Sequence, residues 1–90
     1  PIEDLKEPLN IINFFKVNNF DNTNIVKITY SHISGWQIQT NLHVIMIGNK
    51  LSNNKFNSLK DTLNYLYENR KIPSMIDLRY KDGVALDYGK

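Results

Sequence analysis

Ninety residues suffice for one domain with a modest core and are too few for two. A formal charge of +2, carried by lysines scattered singly, provides no basic stripe for nucleic acid. With no cysteine, the chain can form neither a disulfide nor a thiolate metal site nor a Cys nucleophile, which fits an oxidising compartment. The longest apolar run, residues 44–47, cannot span a bilayer, and the start Pro1-Ile2-Glu3-Asp4 lacks the basic and apolar regions of a leader. Beginning at Pro1 rather than Met, the chain is expected to be a piece of a longer protein.

Leu5, Leu9, Ile12 and Phe15 recur at helical spacing, joined by Ile11 and Val17, and predict a helix over residues 7–18 whose apolar stripe lies on a sheet. Pro8 suits its first turn, where a missing N–H costs nothing. Asn18-Asn19 and Asp21-Asn22-Thr23-Asn24 supply turn side chains that compete with helical bonding and end it. Residues 25–30 are β-branched and aromatic, placing Val26, Ile28 and Tyr30 on one strand face and Lys27 and Thr29 on the other. A second run alternates Trp36, Ile38 and Thr40 with Gln37, Gln39 and Asn41. Residues 42–47 return after Asn41, with Leu42, Val44 and Met46 opposite His43, Ile45 and Ile47, completing a three-stranded antiparallel meander.

Phe56, Leu59, Leu63 and Leu66 then mark an amphipathic helix over residues 54–69, capped by Ser52 or Asn53 and closed by Arg70, Lys71 and Pro73. Two further apolar-rich runs, residues 75–80 and 84–88, flank Lys81-Asp82-Gly83, and the Asp-Gly pair predicts a β-hairpin closing the domain. The expected fold is one α+β domain over residues 1–90. It is a mixed or antiparallel sheet of about five strands with two amphipathic helices on one face, in the order α-β-β-β-α-β-β.

Chemistry is scarce. His32 falls in a loop and His43 mid-strand, neither with a carboxylate at metal-ligand spacing, and both are expected at the surface or at an interface. Asp77, between Ile76 and Leu78, is expected to pair with Arg79 or cap the backbone rather than act as a general acid or base. The glycines are isolated, no Ser or Thr sits in a nucleophile elbow, and no catalytic residue, metal or cofactor is expected. Recognition remains. The last strand, Val84, Leu86 and Tyr88 alternating with Ala85 and Asp87, carries no Pro and no Lys before Lys90, so it is expected at an unblunted sheet edge able to accept another chain. Arg79, Tyr80 and Tyr88 beside it are of the types that dominate interface energetics, whereas Trp36 and Tyr30 are expected to fill the layer between sheet and helices.

Ile76-Asp77-Leu78-Arg79-Tyr80-Lys81-Asp82-Gly83-Val84-Ala85-Leu86 resembles the C-terminal signature of the bacterial cell-division proteins FtsQ and DivIB, whose β domain closes in such a hairpin. Trp36-Gln37-Ile38, the strand ending at Ile47-Gly48, and Lys55 with Leu59 are similar to the family's upstream pattern, and the match runs roughly from Leu9 to Tyr88. The resemblance implies a non-enzymatic divisome scaffold on the periplasmic or extracytoplasmic side of the membrane, anchored through a segment outside this chain. It further implies partners of the FtsB/DivIC and FtsL kinds, the former adding a strand to the hairpin. By position it implies Arg79, Tyr80, Gly83, Val84, Leu86 and Tyr88 as partner-binding residues, Tyr88 replacing a Trp of some members. A basic residue that some members place before the Trp strand falls at Ser34-Gly35 here, leaving His32 or Lys27 as substitutes. The competing expectation is a small carbohydrate- or peptidoglycan-binding module that stacks sugars on Trp36 and exposed tyrosines.

Overall fold

A computed structural model of the chain describes residues 3–20 and 23–89, with the side chains of residues 3–5 left undescribed. Two helices and five strands follow in the order α1 (Glu3–Asn18), β1 (Ile25–Ser31), β2 (Gly35–Thr40), β3 (Val44–Gly48), α2 (Asn53–Glu68), β4 (Met75–Asp77) and β5 (Ala85–Asp87). The strands lie in chain order across one mixed sheet, antiparallel except where α2 crosses over and makes β3 and β4 parallel. The architecture is therefore the expected α+β domain with a five-stranded sheet.

One row of side chains explains how the sheet finds its register. Ile28 pairs with Ile38, Ile38 with Ile45, Ile45 with Ile76, and Ile76 with Leu86, so a single apolar stripe crosses all five strands. Because strand side chains alternate faces, a slip of one residue in any strand would turn its member of the stripe to solvent. Ile38, Ile45 and Ile76 are fully buried under Leu59, Leu63 and Leu66 of α2 and Ile11 and Phe15 of α1, in one continuous core. Burying each α2 leucine contributes about 1.5–3 kcal/mol, enough to make α2 the helix that holds the sheet.

The helices differ from expectation in instructive ways. α2 begins at Asn53, its Ser52 hydroxyl accepting from Lys55 N–H, as the capping rule requires. α1 reaches back to Glu3, so Pro8 lies inside it rather than in its first turn. Its buried residues are Ile11 and Phe15 with Phe14 half-buried, while Leu9, Ile12 and Val17 face solvent. Phe14, Phe15, Phe20 and Phe56 form a ring cluster with centroids 4.9–5.7 Å apart, and these larger rings decide which way α1 rolls onto the core. Leu5, whose side chain belonged to the expected stripe, and the turn residues Asp21 and Asn22 lie outside what is described.

β1 carries a bulge between Ile25 and Lys27, which turns Val26 outward against the expected alternation, 63% exposed, while Ile25 and Ile28 pack on the core. Leu42 and His43 precede β3 rather than belonging to it. The Thr40 hydroxyl accepts from the N–H groups of both and donates to the His43 carbonyl, closing a turn. His43 is 5% exposed, not at the surface, with Nδ1 2.7 Å from the Pro73 carbonyl. At the other end of β2, Gly35 takes φ 78°, and a Cβ there would stand 2.2 Å from the Gly48 carbonyl carbon. Only glycine lets the two strand ends approach this closely.

Candidate partner-binding edge

The last two strands are shorter than the apolar runs suggest. β4 stops at Asp77 and β5 starts at Ala85, opposite each other, so the expected hairpin forms, but with a seven-residue connection, residues 78–84, in place of Lys81-Asp82-Gly83 alone. Gly83 does not adopt a positive φ, so the Asp82-Gly83 pair makes no primed turn. One contact next to the strand end and one distant in sequence overrule that signal. The Asp77 carboxylate turns back and accepts the Arg79 backbone N–H at 3.0 Å, bending the chain out of the ladder. Lys55 of α2 donates its ammonium to the carbonyls of Leu78 and Tyr80, pinning the start of the connection to the helix.

Asp77 and Arg79 make the strongest electrostatic contact of this region. Arg79 Nε meets Oδ1 at 2.9 Å and Nη2 meets Oδ2 at 2.8 Å, a bidentate fork across two residues of one strand end. The Arg79 side-chain bond holds the Asp77 carboxyl below its ordinary value; burial opposes that shift, and the Arg79 N–H and the charges of Arg79 and Lys55 add to it. Arg79 is raised correspondingly by its bond to Asp77. A carboxylate so held is 6% exposed and already committed, which suits a structural clamp rather than proton transfer.

The six residues expected to meet a partner divide into three settings. Arg79, Tyr80, Gly83 and Val84 lie on the connection; Tyr88 follows β5 directly; Leu86 sits within β5. Tyr80 and Tyr88 are about half exposed, at 55% and 52%, and Val84 is partly open. The Leu86 side chain instead packs on the core as the last member of the isoleucine stripe, leaving its backbone as the part a partner can reach. Among the described residues, β5 ends the strand order and has a strand neighbour only in β4. Two of its terminal groups are satisfied within the chain: the Asp87 carbonyl accepts from the Ser74 hydroxyl at 3.0 Å, and the Gly89 N–H donates to the Asp87 carboxylate at 2.8 Å. Among the described residues, the backbone groups of Val84, Ala85, Leu86 and Tyr88 make no other bond outside the β4 ladder. Lys90 lies outside the described residues.

Lys55 and Ser74 shape this edge, and neither was singled out for that task. Lys55 offered a signal: it stands in the first turn of α2, where the helix dipole disfavours a cation, so it needed a partner elsewhere. Ser74 offered none. Lys27 and His32, the possible basic substitutes, belong to β1 and the turn after it, four strand spacings or roughly 19 Å from β5. Trp36 packs on the core with its ring 5.0 Å from Tyr30, so much of its face is already covered.

The fold and this edge define a class: a small α+β domain with an open terminal strand flanked by exposed aromatics. No protein-family model matches the chain, and no curated protein matches it.

Proposed function

We propose that this chain is the extracytoplasmic β domain of an FtsQ/DivIB-type cell-division protein, a non-enzymatic scaffold for septum formation. On this reading the full-length protein is anchored in the cytoplasmic membrane. An extended segment of an FtsB/DivIC-like partner, itself paired with an FtsL-like protein, adds to β5 as a sixth strand. The observation that carries the proposal is the position of β5, last in the sheet with outward backbone unbonded at Val84, Leu86 and Tyr88. Strand addition draws its affinity from backbone bonds and its choice of partner from adjacent side chains. Tyr80, Val84 and Tyr88 are the exposed apolar surface beside the strand, and Arg79 holds the connection in place through Asp77.

The test titrates an extended FtsB-type peptide against the chain and against Tyr88→Ala and Tyr80→Ala, following amide shifts. Each variant is expected to bind at least about tenfold more weakly, the usual cost of removing an interfacial tyrosine, with its own fold unchanged. The bound peptide should protect residues 84–88 from hydrogen exchange. Unchanged affinity in both variants, or protection confined to another edge, would overturn the proposal. Leu86→Pro is the weaker probe, since the Leu86 side chain also supports the core.

A further inference from the structure

Away from β5, the two helices end beside one another over a cavity of about 390 Å³. Both ends are closed by the backbone. Asn19, at φ 49°, donates its N–H to the Phe15 carbonyl and ends α1. At the end of α2, Arg70 N–H reaches the Tyr67 carbonyl and Lys71 N–H the Leu66 carbonyl, the paired bonds of a Schellman cap. These bonds satisfy carbonyls that would otherwise present the negative ends of two dipoles to the cavity. The residue at the left-handed position of the second cap is Arg70, at φ 55°, where glycine fits best.

Three features of the lining go together. Leu42, Leu63 and Leu66 give it an apolar floor. Arg70 and Lys71 bring two exposed cationic side chains to it, the Lys71 ammonium standing 6.0 Å from the centroid of the Tyr65 ring; Arg70 makes no ion pair among the described residues, and no carboxylate is among the lining residues described. His43 gives it a directed acceptor. Its Nδ1 faces the Pro73 carbonyl at 2.7 Å, and a carbonyl can only accept, so Nδ1 carries the proton and Nε2 of the neutral ring carries a lone pair. Nε2 has no protein partner among the described residues, yet no buried side-chain nitrogen or oxygen described is left unpaired. The atom is therefore not sealed off, and His43 is one of the residues that line the cavity.

We propose that this cavity binds a small organic acid that bears a hydroxyl group. The carboxylate is held by Arg70 and Lys71, the hydroxyl donates to His43 Nε2, and the apolar body lies on Leu63 and Leu66. The volume falls within the range of small-molecule sites, and the lining joins an apolar floor to polar groups that can fix orientation. The site shares no residue with the β5 edge and stands independently of the function proposed above.

The experiment titrates the intact chain with 4-hydroxybenzoate, benzoate and inorganic phosphate while following the His43 ring and the Leu63 and Leu66 methyl signals. Saturable shifts are expected with 4-hydroxybenzoate, and binding about tenfold weaker with benzoate, which leaves the His43 acceptor unpaired. Arg70→Gly separates recognition from folding: glycine is favoured in the cap, so thermal stability should hold or rise while affinity falls about tenfold through loss of the charged contact. Absence of saturable shifts with 4-hydroxybenzoate, or unchanged affinity in Arg70→Gly, overturns the site. Equal binding of benzoate overturns the role of His43, and equal binding of inorganic phosphate overturns that of the apolar floor.

Discussion

The sheet has two edges, and they are unlike. β1 is the longer, seven residues held to β2 by a local hairpin, its Asn24 N–H tied to the Asn41 side chain and its Tyr30 ring set between His32 and Trp36. β5 is three residues, with Lys55, Asp77 and Ser74 bonding the backbone around it. Length alone would name β1 as the better template for another chain. β1, however, has a bulge at Val26 and an exposed Lys27, two devices that spoil an edge for pairing, whereas β5 has neither. An edge suited to recognition is thus set less by how much backbone it exposes than by whether that backbone is regular and what flanks it. Shortness also protects β5 from indiscriminate pairing until a matching segment extends it.

The contrast is broken most directly by removing the support of β5. Lys55→Met keeps the unbranched stem, one atom shorter, and deletes the bonds to the Leu78 and Tyr80 carbonyls. Loss of a charged donor from a partly buried carbonyl is expected to cost about 1.5 kcal/mol or more, read as a fall in the urea midpoint. Hydrogen exchange should accelerate in residues 78–88 and stay unchanged in β1. Equal acceleration at both edges would mean that β5 is not separately supported.

Lys55 also marks the boundary of what the residues disclose. The seven elements and their order are legible because hydrophobic periodicity and capping are local: Ser52 caps α2, Asn19 closes α1, and the β-branched runs alternate in step with the pleat. What could not be read depends on partners distant along the chain. The bulge at Val26 exists only relative to β2, and the burial of His43 only relative to Pro73. The Asp82-Gly83 pair marked the hairpin but not its seven-residue connection, because Asp77 and Lys55 fix the path of the backbone there. At the candidate edge the residue types were legible, but the split between Tyr88, exposed, and Leu86, committed to the core, required the stripe of paired isoleucines that fixes the register.

Acid sharpens the comparison, because the ion pair beside β5 has no described counterpart at β1. The bond from Arg79 holds the Asp77 carboxyl below the ordinary carboxylate range, so the unfolded chain takes up a proton before the folded chain does. The resulting stability is complete above about pH 4 and is lost as pH falls through the lower, folded value. Asp77→Asn can still accept the Arg79 N–H but carries no charge. Its urea midpoint should therefore start lower than that of the parent at neutral pH and decline less steeply below about pH 4. Parallel profiles would show that the fork adds nothing to stability.

The smallest effect belongs to the other edge and is the more discriminating for it. Val26 is 63% exposed at the bulge and is not a member of the buried core. Val26→Lys should change stability by no more than about 0.5 kcal/mol, as surface substitutions away from special features do. It also adds a second positive charge beside Lys27 and makes β1 still less able to pair. If partners join at β5, titration with an FtsB-type peptide should give the same affinity for Val26→Lys as for the parent. A loss of binding would place the partner on β1, where the long strand, the bulge and the Tyr30–Trp36 pair would then have to be the recognition surface.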